Sequence, residues 1–171
     1  MGIKMKKIII VQLFLLFIIP FILGSSCETS PLPPATDYII FGDFYGECVG
    51  PKCVNIYKIR DGEIFQDITH IYPSRNSFYS GEWIKLPNAM LNFVNDSINN
   101  IPAELIADKS AVIGEPDSHD QGGFYLEVYS NGDQRYHMLW HIDKDFNNVP
   151  NYLHNYLRTL ESVIDSLKKN S

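Results

Sequence analysis

Past residue 27 the chain has no apolar run long enough to span a bilayer, which takes about 20 consecutive residues. Cysteine is scarce, with three in 171 residues, too few for a disulfide scaffold or a cysteine-rich zinc fold. Basic residues are in deficit, 14 Lys and Arg against 20 Asp and Glu. Without a basic stripe to offset that balance, phosphate backbones are repelled and nucleic acid is excluded as a partner. The sequence also lacks a phosphate-cradling glycine loop, a nucleophile elbow, an EF-hand pattern and a His-Glu-x-x-His pair. None of the common catalytic signatures therefore assigns an activity.

The first 27 residues are informative. Lys4, Lys6 and Lys7 precede an apolar run over residues 8–23, followed by Gly24-Ser25-Ser26-Cys27. A basic head, an apolar middle and a small-residue cleavage site make a secretory signal peptide over residues 1–26. At ~1.5 Å per residue the run would be about 24 Å long, short of a ~30 Å hydrocarbon core, and Pro20 interrupts it. Cys27 directly after the small residues resembles the lipobox of bacterial lipoproteins, which implies that Cys27 is acylated and anchors the chain to a membrane. Gly24 and Ser26 equally satisfy ordinary small-x-small cleavage, so plain secretion is the alternative. Glu28, not Asp, follows Cys27, which favours the outer membrane over the inner one. Loss of the three leader lysines leaves 11 basic residues against 20 acidic ones, a mature net charge of −9.

Residues 27–36 form the lipidated Cys and a tether, with Pro31, Pro33 and Pro34 favouring an extended polyproline form. Residues 37–171 are about one domain's worth of chain. Strands are expected over residues 38–45, 53–60 and 63–71, with Gly42 a bulge or a point of close approach. Asp61-Gly62 marks a two-residue hairpin between the second and third strands. A polar loop over residues 72–81 leads through a short extended piece at 83–86 to a helix over residues 87–99. There Met90, Phe93, Val94, Ser97, Ile98 and Ile101 have helical spacing. Residues 102–108 allow one more helical turn, whereas residues 111–120 hold too many breakers for regular structure. Strands over 123–130 and 134–142 flank a second hairpin signal, Asn131-Gly132. A final helix starting between residues 148 and 151 runs to about 168, its buried stripe formed by Leu153, Leu157, Leu160, Val163, Ile164 and Leu167. The expected fold is α+β: an antiparallel sheet of about five strands, βββ-α-ββ-α, with two helices packed on one face and the other face open.

Cys48 and Cys53 remain as an even pair once Cys27 is set aside, and an oxidising compartment favours a disulfide between them. A thiol redox couple is the alternative, but four residues intervene and only Lys52 would depress a thiol pKa. Asp117, His119 and Asp120, with Glu115 nearby, have the donor chemistry for a divalent metal. The same residues beside Gly122-Gly123 also make an ordinary turn. Tyr125, Tyr129, His137 and His141 fall on the sheet face expected to be open and are the candidates for binding a protein, peptide or glycan. His137 and His141 are about 13 Å apart along one strand, too far to share a metal ion.

Two motifs occur in order: Phe41-Gly42-x-Phe44-Tyr45-Gly46-x-Cys48 running on to Cys53-Val54-x-Ile56-Tyr57-Lys58-Ile59, and Pro116-Asp117 with Asp120-Gln121-Gly122-Gly123. In this the chain resembles a group of small, functionally uncharacterised envelope lipoproteins of Gram-negative bacteria, over most of residues 38–167. Where some of that group carry further cysteines, this chain has Glu115 and Ser118. The resemblance implies an envelope lipoprotein and brings no activity with it. The expected function is a membrane-anchored, non-enzymatic binding or structural module needing no cofactor. The alternative is an envelope enzyme, a thiol oxidoreductase at the cysteine pair or a metal-dependent hydrolase at Asp117.

Overall fold

The computed structural model describes residues 37–94, 98–132 and 135–171. The leader, Cys27 and the tether lie outside the described residues. The strands are β1 (Tyr38–Phe44), β2 (Val54–Arg60), β3 (Glu63–Asp67), β4 (Trp83–Lys85), β5 (Val112–Ile113), β6 (Gly123–Ser130) and β7 (Tyr136–Asp143), and the helices α1 (Ala103–Ala107) and α2 (His154–Asn170). The fold is α+β, as expected, but among the described residues its sheet has seven strands, in the order β4-β3-β2-β1-β6-β7-β5. It is mixed: β5 runs parallel to β7, and the remaining pairs are antiparallel. A two-residue strand among glycines and prolines carries no periodicity, which is why residues 111–120 read as irregular.

The first meander forms as its sequence demands. Asp61 and Gly62 both take positive φ, 54° and 71°, the geometry of a tight hairpin turn whose twist suits its strands. Gly42 sits in regular register between Ile56 and Tyr125, so it is no bulge. A Cβ there would lie 2.0 Å from the Asn55 carbonyl oxygen, so only glycine admits this approach of β1 to β2.

Several strand ends shift by one or two residues, β7 spanning Tyr136–Asp143 and not 134–142, and three expectations change more. β3 ends at Asp67, not at residue 71, because the Asp67 carboxylate captures the Thr69 hydroxyl and the His70 N–H and turns the chain through His70 at φ 51°. The expected helix over residues 87–99 is a 3-10 helix over Asn88–Phe93, followed by Val94 in an extended conformation. Asn88 and Asn92 offer the backbone competing partners and are poor helix formers. Met90 and Ile98 are nonetheless buried, as their spacing requires, and residues 95–97 lie outside the description. Asn131-Gly132 makes no two-residue turn: Ser130 pairs with Tyr136, and neither Asn131 nor Gly132 has positive φ. The Asn131 N–H instead donates to Asp37 Oδ1 at 2.7 Å.

One sheet face carries the apolar core. Phe41, Tyr57, Ile64, Phe124, Leu126, Val128, Trp140 and Ile142 pack there with Leu105 of α1 and the α2 stripe. The final helix begins as a 3-10 turn, Asn151–Leu153, before α2 proper, and all six predicted stripe positions are buried, Leu153 in that turn and the other five in α2. At about 25 cal/mol per Å², each such leucine contributes roughly 1.5–3 kcal/mol. At its far end α2 is tied down by Lys168, whose Nζ donates to Asp43 Oδ2 at 2.9 Å beside Lys144 and the Asn55 amide.

Candidate functional site

On the opposite face the strand alternation places Tyr38, Ile40, Gly42 and Phe44 of β1 beside Tyr125, Glu127 and Tyr129 of β6 and His137, Leu139 and His141 of β7. The four residues singled out for binding, Tyr125, Tyr129, His137 and His141, do share this face. Tyr129 meets His137 edge-on at 5.4 Å, and Tyr125 meets His141 edge-on at 5.3 Å. The expectation that the face is open is wrong: Tyr125, Tyr129 and His141 are buried. Segment 68–82 lies over Tyr125 and His141, while Tyr38 stacks on Tyr129 at 5.3 Å. The segment is closed at its neck by the Ile68 N–H on the Glu82 carbonyl at 2.9 Å, in the manner of a compact Ω-loop.

Two carboxylates missed in the sequence hold this cover in place. Asp67, 1 % exposed, accepts from Thr69 and the His70 N–H where the segment leaves the sheet, and from the Tyr79 hydroxyl and the Glu82 N–H where it returns. Glu127, 1 % exposed, lies beneath the middle and accepts from the Tyr79 N–H at 2.8 Å, the Tyr125 hydroxyl at 2.6 Å, the Tyr38 hydroxyl at 3.1 Å and His137 Nε2 at 2.8 Å. The burial cost of each carboxylate is offset by several donors. Burial first, and then the Glu127 charge, raises Tyr125 and Tyr38 far above the ordinary phenol range, so both stay protonated donors. Burial and the hydrogen bond to Asp67 do the same for Tyr79.

His141 is fully buried, and its Nε2 meets the Ser74 carbonyl at 3.0 Å. A carbonyl only accepts, so Nε2 carries the proton and Nδ1, which has no hydrogen-bond partner among the described residues, keeps its lone pair. Burial holds this imidazole neutral by lowering its pKa, with the Ser74 carbonyl partly opposing and Arg75 adding to the effect.

Cys48 and Cys53 form a disulfide, their Cα atoms 5.4 Å apart. It closes the β1–β2 turn around fully exposed Val49 and leads through a 3-10 turn, Pro51–Cys53, into β2. Asp117, His119 and Asp120 lie in a turn between β5 and β6, with Asp117 and Asp120 both at φ 61°. Asp117 accepts from the Tyr72 hydroxyl at 2.8 Å and the Gly122 N–H at 3.2 Å, and the His119 ring bonds Ser118. The phenol of Tyr72 is pushed up to about 12 by burial and by that carboxylate. Among the described residues no three His, Cys, Asp or Glu side chains converge so as to hold a metal ion. The carboxylate that organises the loops here is Asp143, which accepts from the Asp145 and Glu115 N–H groups and the Asn148 and Gln121 amides. Burial opposes its ionisation, but those four bonds prevail and hold it below the usual carboxylate range.

The cover leaves one flank open. Along β7 a groove of about 290 Å³ has His137–Trp140 as its floor, Arg75, Asn76 and Phe78 as one wall, and Asp108, Lys109 and Ala111 as the other. Phe78, 44 % exposed, stacks on the His137 ring at 3.3 Å. No family model matches the chain, and no curated protein matches it.

Proposed function

We propose that this chain is a lipid-anchored protein of the bacterial envelope, on the outer membrane, whose domain acts as a binding or structural module for an envelope protein, peptide or glycan. The observation that carries the reading is the N-terminal order of Lys4, Lys6 and Lys7, an apolar run, small residues and Cys27. The Cys48–Cys53 bridge supports it, since disulfides persist in exported proteins and are rare in reducing compartments. Cys53 ends a 3-10 turn and leads directly into a strand, so it does not sit at a helix N-terminus that would stabilise a thiolate, which favours a staple over a redox couple. The resemblance to envelope lipoproteins points the same way. With the open face closed by segment 68–82, the β7 groove replaces Tyr125, Tyr129 and His141 as the surface for contact.

Cells expressing the full chain and Cys27→Ser, labelled with radioactive palmitate and then fractionated, test the anchor. The expected result is label on the wild type in the outer-membrane fraction and none on Cys27→Ser. A wild-type protein without label, recovered free in the periplasm, would replace the anchored module with a secreted one.

A further inference from the structure

The floor of the groove is a sheet margin. β5 covers β7 only at His141 and Ile142. The His141 N–H points away from β6, to the Ala111 carbonyl at 2.9 Å. Alternate residues of an antiparallel strand turn their backbone groups the same way, so His137 and Leu139 also turn N–H and C=O outward. Among the described residues no strand pairs with them there, and His137, Met138 and Leu139 are half-buried. Unpaired strand margins are usually blunted, because they template a further strand. The opposite margin, β4, is three residues long and carries Lys85, paired with Glu63.

We infer that β7 accepts an extended, acidic peptide segment of a partner protein as an added strand, an inference that rests on the binding-module reading. Four backbone groups, the N–H and C=O of His137 and Leu139, supply a sequence-independent ladder. Charge selects the occupant. Lys109 is exposed and has no ion-pair partner among the described residues. Arg75 gives one guanidinium nitrogen to the Pro116 carbonyl at 3.2 Å, and its other donors have no partner among the described residues. The one acid in the walls, Asp108, is turned back onto the Ser110 N–H at 2.9 Å. A cation thus stands in each wall, on a chain that is otherwise strongly acidic. Phe78 adds apolar area for a side chain of the incoming strand.

The probe is a short capped peptide of alternating glutamate and valine, added to the full-length protein in detergent micelles, with amide hydrogen exchange and fluorescence anisotropy as readouts. Bound peptide should protect the His137 and Leu139 amides. Lys109→Glu should weaken binding about tenfold, and Leu139→Pro, which removes an outward N–H at a margin position, should abolish it. Should Leu139→Pro fail to fold, the same peptide N-methylated along its centre tests the ladder on the wild type and should not bind. Equal binding of the N-methylated peptide, or of a lysine-for-glutamate peptide, would overturn the inference. So would protection of β7 by self-association alone. If the peptide fails while cross-linking in cells still captures a partner through another surface, the strand-accepting margin is refuted and the module reading stands.

Discussion

The two faces of the sheet are closed by different physics. One is sealed mainly by apolar burial, with Leu153 just ahead of α2 and Leu157, Leu160, Val163, Ile164 and Leu167 within it, and only the far end of α2 is pinned by a polar pair, Lys168 on Asp43. The other is sealed by segment 68–82, which brings backbone donors and hydroxyls to two buried carboxylates, Asp67 and Glu127. Apolar burial is non-directional and tolerates exchange of similar volumes. A buried polar network is all or nothing, because any donor left unpaired costs its full desolvation. The first face should therefore lose stability in proportion to volume removed, and the second should open as a unit.

The largest effects are expected from one deletion on each face. Leu160→Ala removes a fully buried side chain and should cost about 2–5 kcal/mol, read as a lower urea midpoint for the whole domain. Glu127→Ala strands the Tyr125 hydroxyl and the Tyr79 N–H and should cost about 3–5 kcal/mol. The contrast lies in hydrogen exchange. After Glu127→Ala the amides of segment 68–82 should lose protection well before those of α2, whereas Leu160→Ala should lower both together. If both variants exchange uniformly, the two faces are one cooperative unit and the distinction is wrong.

A smaller cut sharpens the same contrast. Tyr79→Phe keeps the ring and its N–H but loses the hydroxyl's bond to Asp67 at 2.9 Å. The cost should be about 1.5–3 kcal/mol, the range for hydrogen bonds to charged groups. Protease cleavage within segment 68–82 should rise while the α2 core stays intact, as gel electrophoresis after limited digestion would show. Unchanged cleavage would mean that the Tyr79 N–H on Glu127 suffices to hold the cover.

What could be read from the sequence divides along the same line. The α2 stripe, the Asp61-Gly62 hairpin and the placing of Phe124, Leu126 and Val128 on the core face of β6 are local patterns, and each is realised. The polar closure is not local: Tyr79 lies 48 residues from Glu127, and periodicity carries no information on such a pair. One signal was present in β6 itself. GFYLEVYS places Phe124, Leu126 and Val128 on one face and Tyr125 and Tyr129 on the other, large side chains on both faces, the pattern of a strand covered on two sides, not of one with an open face. The lone acid within it, flanked by Tyr125 and Tyr129 on the same side, marked the polar centre. The parallel pairing of β5 depends on two residues, Val112 and Ile113, and was invisible for that reason.

The smallest effect separates the faces by pH. On the covered face His141 is buried, neutral and beside Arg75, with Phe44 and Tyr125 as its ring neighbours. Its folded pKa lies below the ordinary value of about 6.5 that applies in the unfolded chain. Above that value neither state takes a proton, and the full stability is present. As the pH falls through it, the unfolded chain binds a proton that the fold refuses, so stability drops by up to about 1.4 kcal/mol per pH unit until the folded pKa is reached. His141→Phe leaves the Ser74 carbonyl without its donor and so starts less stable, but it should lose less between pH 7 and pH 5 than the wild type does, as urea denaturation at the two values would measure. Equal losses would mean that His141 titrates in the fold as it does in the open chain, so that water reaches it beneath segment 68–82 and the second face is not a sealed core.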